Sequence, residues 1–207
     1  METLILFTKE APLNFESFET QVAYGGVDYG AYYLATQKKM MEFSIGDFDS
    51  VEDTKLIQEM SKDFISLPKE KDSTDLEAAI KEALKRGYEE IWVFGALGER
   101  VDHELINLRL AYQYPGIVML SNEQNRIFAL SEGDYEITKD EYSYLSLFTF
   151  REAGVSLEGV KYPLVNQELY DNDLYTSSNE IIEDKAVLQV KRGTVLIIQS
   201  KDKEKTQ

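Results

Sequence analysis

Hydrophobic and polar positions along the chain change rhythm once. From Thr3 to about Ser121, short apolar runs alternate with amphipathic stretches of helical length. The runs at 3–7, 21–23, 43–45, 64–67, 91–94 and 117–120 are of strand length, and stretches at 29–39, 51–60, 74–86 and 102–113 lie between them. In the third of these, Leu76, Ala79, Ile80, Ala83 and Leu84 fall at i, i+3, i+4, i+7 and i+8, which is one face of a helix. Strands separated by such helices predict βαβ units and a mostly parallel sheet, a Rossmann-like α/β/α domain.

After Asn122 the period falls to two. β-branched and aromatic runs recur at 126–130, 135–138, 144–150, 155–159, 186–190 and 194–199, punctuated by Glu132-Gly133-Asp134, Asn172 and Arg192-Gly193. This half predicts an antiparallel β domain, a sandwich or a small barrel, and the β-sandwich is the expectation carried forward. The change of rhythm sets a boundary at 121–124 and so two domains, 1–122 and 123–207. The final seven residues, 201–207, read as a solvated tail.

Composition narrows the function. Apolar residues are 43% and charged residues 29% of 207, enough for a real core and against disorder for most of the chain. Acids outnumber Lys and Arg 38 to 22, a net charge of −16. A field of that sign repels phosphate backbones and anionic lipid heads, so neither nucleic acid nor a membrane is an expected partner. An anionic small substrate would need a divalent cation or a few local basic residues. With no cysteine, disulfides, thiolate metal sites and a Cys nucleophile are excluded, which fits a reducing cytoplasm. His103 is the single histidine, so any metal would be held by oxygens, as magnesium, manganese or calcium are. The apolar run Leu4-Ile5-Leu6-Phe7 is too short for a signal peptide, and no apolar stretch approaches the ~20 residues of a membrane span. The expected location is the cytoplasm.

Ligands of an open parallel sheet bind beyond the carboxyl ends of its strands. Four strand ends carry Gly or Asp together: Tyr24-Gly25-Gly26-Val27-Asp28-Tyr29-Gly30, Gly46-Asp47-Phe48-Asp49-Ser50, Lys71-Asp72-Ser73-Thr74-Asp75, and Gly95-Ala96-Leu97-Gly98-Glu99-Arg100-Val101-Asp102-His103. In a turn after Gly46, Asp47 and Asp49 can reach one hard cation, for which magnesium wants one or two carboxylates. Asp49 or Ser50 equally suits the N-cap of a helix from Val51, and spacing does not separate the two readings. Thr74-x-x-Glu77 has the pattern of a capping box, which leaves Lys71, Asp72 and Asp75 to be explained. The two glycines and Arg100 ahead of a helix suit a polyphosphate, although the spacing is neither Walker A nor Gly-x-Gly-x-x-Gly.

Taken together these segments resemble thiamine pyrophosphokinases, with Gly154–Leu164 and Ser178-Asn179-Glu180 carrying the resemblance into the second half. It implies transfer of the diphosphate of ATP to the hydroxyl of thiamine, giving thiamine diphosphate and AMP. On it, Asp47, Asp49 and Asp75 match the acids that hold magnesium, with Asp72 close by. Asp28 and Gly30 match the nucleotide turn. Gly95, Gly98, Arg100, Asp102 and His103 match the loop at the phosphates and the reacting hydroxyl. Ser178 and Asn179 match thiamine contacts. A homodimer is implied, since sites in the family are completed across one, and Asp102 or Asp72 would accept the hydroxyl proton. Three positions depart from the family pattern: Glu99 for a second Gly, Tyr29 for Arg or Gly, and Ile181-Ile182 where an aromatic is common. Two other readings are a haloacid-dehalogenase-like phosphatase with Asp47 as nucleophile and a sensor that binds thiamine or nucleotide without turnover. The order of the other motifs and the β domain argue against the first, and Glu99 keeps the second in play.

Overall fold

The computed structural model describes residues 3–11, 22–51, 53–98 and 100–203. Among them the strands fall into a mixed sheet of nine and an antiparallel sheet of four. By its contacts the chain divides into two compact units, residues 1–107 with 120–122, and residues 108–119 with 123–207.

The first unit runs β1 (Thr3–Phe7), β2 (Val22–Val27), α1 (Tyr29–Thr36), β3 (Met41–Gly46), α2 (Thr54–Glu59), β4 (Ser61–Ser66), α3 (Asp75–Lys85) and β5 (Glu90–Phe94), then enters α4 (Val101–Gln113). β1 pairs in parallel with β2 on one edge and β5 on the other, and β2–β3 and β3–β4 are parallel too. Leu4 to Phe7 are wholly buried. A strand flanked on both edges and covered on both faces reads as an unbroken apolar run, and this one does. The order β4-β3-β2-β1-β5 means that the chain steps away from β1 three times and then returns to its other side. Strand order reverses between β1 and β5, the position where an open α/β sheet leaves a crevice.

Helix ends follow local chemistry. Thr74 caps α3 by accepting from the Glu77 N–H at 3.2 Å, and Leu76, Ala79, Ile80 and Ala83 form its buried stripe. α2 starts at Thr54, three residues later than its apolar pattern suggests, because Asp53 accepts from the Lys55 and Leu56 N–H groups at 3.0 and 3.2 Å. Asp49 and Ser50 therefore cap nothing. Gly30 opens α1 against the end of β1: its N–H donates to the Thr8 carbonyl at 3.0 Å, and a Cβ there would sit 2.0 Å from the Phe7 carbonyl oxygen.

The second unit holds β7 (Asn125–Leu130), β8 (Gly133–Thr138), β9 (Tyr144–Phe148), β10 (Ala153–Glu158), β11 (Leu164–Leu169), β12 (Lys185–Arg192) and β13 (Val195–Ser200), with β6 (Val118–Ser121) leading into it. Two antiparallel runs, β7-β13-β9 and β11-β10-β12-β8, account for these strands. Leu145, Leu147, Val195 and Ile197 of the first share one buried cluster with Val155, Leu157, Ala186, Leu188 and Val190 of the second. β11 has no counterpart in the sequence reading. Its residues Leu-Val-Asn-Gln-Glu-Leu bury only the last side chain, and Asn166 interrupts it at φ 48°. An edge strand so polar lacks the alternation that marks its neighbours.

Candidate active site

The crevice at the reversal of strand order is a cavity of about 400 Å³. Its wall is drawn from four separate stretches of the first unit: Thr8 and Lys9 after β1; Asp28 and Tyr29 after β2; Thr74 and Asp75 at the start of α3; and Gly95, Arg100, His103, Glu104 and Asn107 after β5 and along α4. Ser50 also reaches it.

Asp28 occupies the N-cap position of α1 at φ 47°, ψ −119°, a region costly for a residue with a side chain. Its carboxylate does not cap the helix. Instead Oδ1 turns toward the next strand end and accepts from the Phe48 N–H at 3.4 Å. Gly46 is the residue that permits this, because a Cβ on it would lie 1.8 Å from that same oxygen. Burial is the main cause that raises the Asp28 pKa from 3.8 to about 6, and the charges of Asp75 and Asp47 push the same way. Three carboxylates thus sense one another across this end of the sheet.

The turn that follows β3 is held from beneath. Phe48 is buried at φ 55° and stacks on Phe64 with ring centroids 4.6 Å apart. With Phe48 anchored, Asp47 and Asp49 on either side of it stay at the surface. Asp47 Oδ1 accepts from the Asp49 N–H at 3.1 Å, and Asp49 Oδ2 lies 3.4 Å from Lys69 Nζ. Asp75 Oδ1 is buried and is reached by no hydrogen bond of good geometry, with Lys71 Nζ at 3.0 Å as its ion-pair partner. Asp72 is exposed.

On the far wall Gly95 and Gly98 take φ 81° and 101°. Arg100 and Asp102 form a two-pronged pair at the surface, Nε to Oδ1 at 3.1 Å and a terminal nitrogen to Oδ2 at 2.6 Å. The Arg100 guanidinium holds the Asp102 carboxyl below its usual range.

Of the residues singled out in the sequence, Asp28, Asp75, Gly95, Arg100 and His103 come together on the cavity wall. Gly30 and Asp102, in the first turns of α1 and α4, and Asp47, Asp49, Asp72 and Gly98, in the neighbouring loops, do not line it. Ser178 and Asn179 belong to the second unit. Ser178 is exposed at φ 56°, while the Asn179 amide is buried and committed: Oδ1 accepts from the Tyr162 and Glu180 N–H groups and Nδ2 donates to the Tyr162 carbonyl. Glu99 and residues 204–207 lie outside the described residues, as does Gln21 at the head of the second expected strand. The sequence reading passed over Thr8, Lys9, Glu104 and Asn107. The last two sit on the same helical face as Arg100 and His103, at spacings of three, four and seven, and that polar stripe was the available signal.

Among the described residues no three acidic or histidine side chains stand close enough to form a ready metal cage. The donors nevertheless suit a magnesium ion, which takes one or two carboxylates and completes its octahedron with water and substrate phosphate. The buried Asp75 oxygen, whose partner is the Lys71 ammonium, and the repulsion of Asp75 and Asp47 felt at Asp28 are features that a divalent cation would relieve.

Two family models match successive stretches of the chain. The family model described as thiamin pyrophosphokinase, catalytic domain, matches residues 17–127, and that described as thiamin pyrophosphokinase, vitamin B1 binding domain, matches residues 134–195. A thiamine pyrophosphokinase of Bacillus subtilis (strain 168) is 33% identical over 187 residues, covering 86% of each chain. Among solved structures, a thiamin pyrophosphokinase family protein from Enterococcus faecalis superposes with a TM-score of 0.85 at 30% identity, over 98% of this chain and all of that one. The Bacillus subtilis thiamine pyrophosphokinase structure does so with a TM-score of 0.86 at 28% identity, over 97% of this chain and all of that one.

Proposed function

The chain belongs to the thiamin pyrophosphokinase family of enzymes, and from that premise we propose that it transfers the diphosphate of ATP to thiamine with magnesium as cofactor. One observation carries the reading: a single cavity at the β1/β5 reversal gathers Asp28, Asp75, Gly95, Arg100 and His103 from distant parts of the sequence. Rossmann-like and β-sandwich are the names we give the two halves, the second on the strength of the core shared by its two antiparallel runs. The division at residue 122 assigns ATP and magnesium to 1–122 and thiamine to 123–207.

In this reading Asp75, Asp47 and Asp49 hold the metal, with Asp28 and Asp72 as neighbouring carboxylates. Bound there, magnesium supplies charge neutralisation on the phosphate oxygens. The chain's own residues position and stabilise. Gly30 and the turn at Asp28 leave room for the nucleotide, and the loop at Gly95 and Gly98 brings backbone close to the phosphates. Arg100 is the guanidinium that meets charge developing on the transferred group, once it exchanges Asp102 for phosphate oxygen. The thiamine hydroxyl oxygen bonds to the β-phosphorus as the bridge to the α-phosphorus breaks and AMP departs. The hydroxyl proton passes to a carboxylate. Asp102 and Asp72 are the two carboxylates we propose as acceptors.

Ser178 is the thiamine contact we propose in the second half. Asn179 acts beside it as the staple that fixes the turn. Tyr162, Val165, Leu174, Tyr175 and Ile182 are large apolar side chains exposed by 58–75% within that unit. Such an exposed set supports the homodimer. Among the described residues no helix is long and apolar enough to cross a membrane. The absence of cysteine supports a cytoplasmic setting.

The test is product analysis. Purified protein is incubated with ATP, magnesium and thiamine, and products are separated by chromatography beside Asp47→Asn. Equal amounts of thiamine diphosphate and AMP, lost in the variant and in chelator, are expected. ADP with thiamine monophosphate would overturn the diphosphate transfer, and saturable binding without product would leave a sensor.

A further inference from the structure

The loop at residues 95–98 is built to be soft. Gly95 and Gly98 both sit at positive φ, and glycine contributes no side chain that would hold the peptide planes in place. Yet this loop forms one wall of the cavity, where a polyphosphate would need amide groups aimed in advance. Three attachments compensate. Gly95 packs on the backbone of Lys9 so closely that a Cβ would come within 2.7 Å of its nitrogen. The other two come from α4. Asn107 Nδ2 donates to the Ala96 carbonyl at 2.8 Å, and the Glu104 carboxylate accepts from the Gly98 N–H.

These two side chains are three residues apart and so share a face one helical turn deep. They act on consecutive peptide planes. A trans peptide carries its C=O and N–H in opposite directions. Tying the Ala96 carbonyl to Asn107 therefore turns the Leu97 N–H away from α4, and tying the Gly98 N–H to Glu104 turns the Leu97 carbonyl away from α4 in the same manner. We infer that Glu104 and Asn107 are positioning residues that clamp the 95–98 loop to α4 and set the Leu97 N–H, on the cavity lining, for the phosphate chain of the nucleotide. Neither touches the reacting atoms. The inference rests on the nucleotide reading of the cavity given above. It also explains why a helix that exposes Val101 and Leu105 keeps Arg100, His103, Glu104 and Asn107 on the cavity side.

The test separates hydrogen bonding from shape. Asn107→Asp is nearly isosteric but offers no donor to the Ala96 carbonyl, whereas Glu104→Gln keeps an acceptor oxygen for Gly98 and Glu104→Ala removes it. Two readouts are taken on full-length protein: binding of magnesium–ATP by calorimetry together with KM for each substrate, and amide hydrogen exchange at Leu97 and Gly98. Asn107→Asp and Glu104→Ala are each expected to weaken magnesium–ATP about tenfold, the scale of one hydrogen bond. They should speed exchange in the loop by a similar factor and leave KM for thiamine unchanged. Glu104→Gln is expected to stay within about twofold of the parent protein, rescue that a purely structural acid would not predict. Parent-like nucleotide affinity and loop exchange in both Asn107→Asp and Glu104→Ala would overturn the clamp. Equal losses for both substrates, with faster exchange throughout the unit, would overturn it too. If Asn107→Asp does not fold, the Glu104 pair decides alone. A parent protein that binds magnesium–ATP and makes no thiamine diphosphate would refute the diphosphate transfer while leaving the clamp to stand or fall on nucleotide affinity.

Discussion

Replacing Asp28 by Asn is expected to stabilise the magnesium-free protein at pH 8 and to leave it unchanged near pH 4. Folding raises the Asp28 pKa from 3.8 to about 6, through burial first and then through Asp75 and Asp47, against the Phe48 N–H and Lys71. At about 1.36 kcal/mol for each factor of ten in proton affinity that is at most about 3 kcal/mol, and solvent screening of a carboxylate only part-buried brings the cost of the ionised form to about 2 kcal/mol. The sign follows from proton uptake. Between the two pKa values the native state binds more protons than the unfolded chain, so stability falls as pH rises from about 4 to about 6 and is level above that. Asn removes the charge, keeps the size, and shares with Asp its tolerance of positive φ, so the backbone cost at φ 47° is carried by both proteins. Trp92, the only tryptophan, lies in β5 of the same unit, so its fluorescence reports the relevant unfolding. Urea titrations in chelator from pH 4 to pH 8 should show a stability difference growing from near zero to about 2 kcal/mol in favour of Asn. A difference independent of pH, or a parent protein more stable at pH 8, would refute the electrostatic account of this site.

Phe48→Ala should lower the stability of the first unit by about 3–5 kcal/mol, the range for a buried aromatic truncation. Because Phe48 anchors the turn of Asp47 and Asp49, the magnesium concentration needed for half-maximal activity should rise as well; a stability loss with unaltered magnesium dependence would dissociate the anchor from the acids. Lys9→Ala should raise KM for ATP about tenfold while KM for thiamine holds, with the defect shrinking as salt is added to the parent. Equal sensitivity of both substrates would place Lys9 outside the nucleotide's reach.

How far the sequence could be read depended on whether a feature was local. The stripe Leu76, Ala79, Ile80 and Ala83 is visible because a helix writes its buried face at fixed spacing, and β1 because its residues Leu4 to Phe7 are all buried and so form an unbroken apolar run. The parallel first half and the antiparallel second half followed from such periods. What could not be read was the order of strands in space. Thr8 and Lys9 follow β1 with no glycine to mark them, and they matter only because β5 returns to β1's other side. The start of α2 was misplaced for a similar reason: Asp49, Ser50 and Asp53 are all good caps by type, and only the structure shows that Asp53 takes the two N–H groups. Asn107 looked like one polar residue in an amphipathic helix: its place in the stripe with Arg100, His103 and Glu104 was periodic, but its bond to a carbonyl eleven residues earlier was not legible.

In the proposed reaction the net charge of −16 and an anionic substrate are reconciled at the cavity and its rim. Arg100 is paired with Asp102 and Lys71 with Asp75. The groups suited to an incoming phosphate already carry internal carboxylates, so a bare polyphosphate gains little by displacing them and leaves acids without partners. A divalent cation changes the balance, because it takes up the carboxylates that phosphate displaces. Asp75, whose buried oxygen has no hydrogen bond, has the most to gain from that exchange. In that proposal metal and nucleotide favour each other through the same residues, and the acids that would make the protein repel polyanions in general are those that would admit one accompanied by its metal.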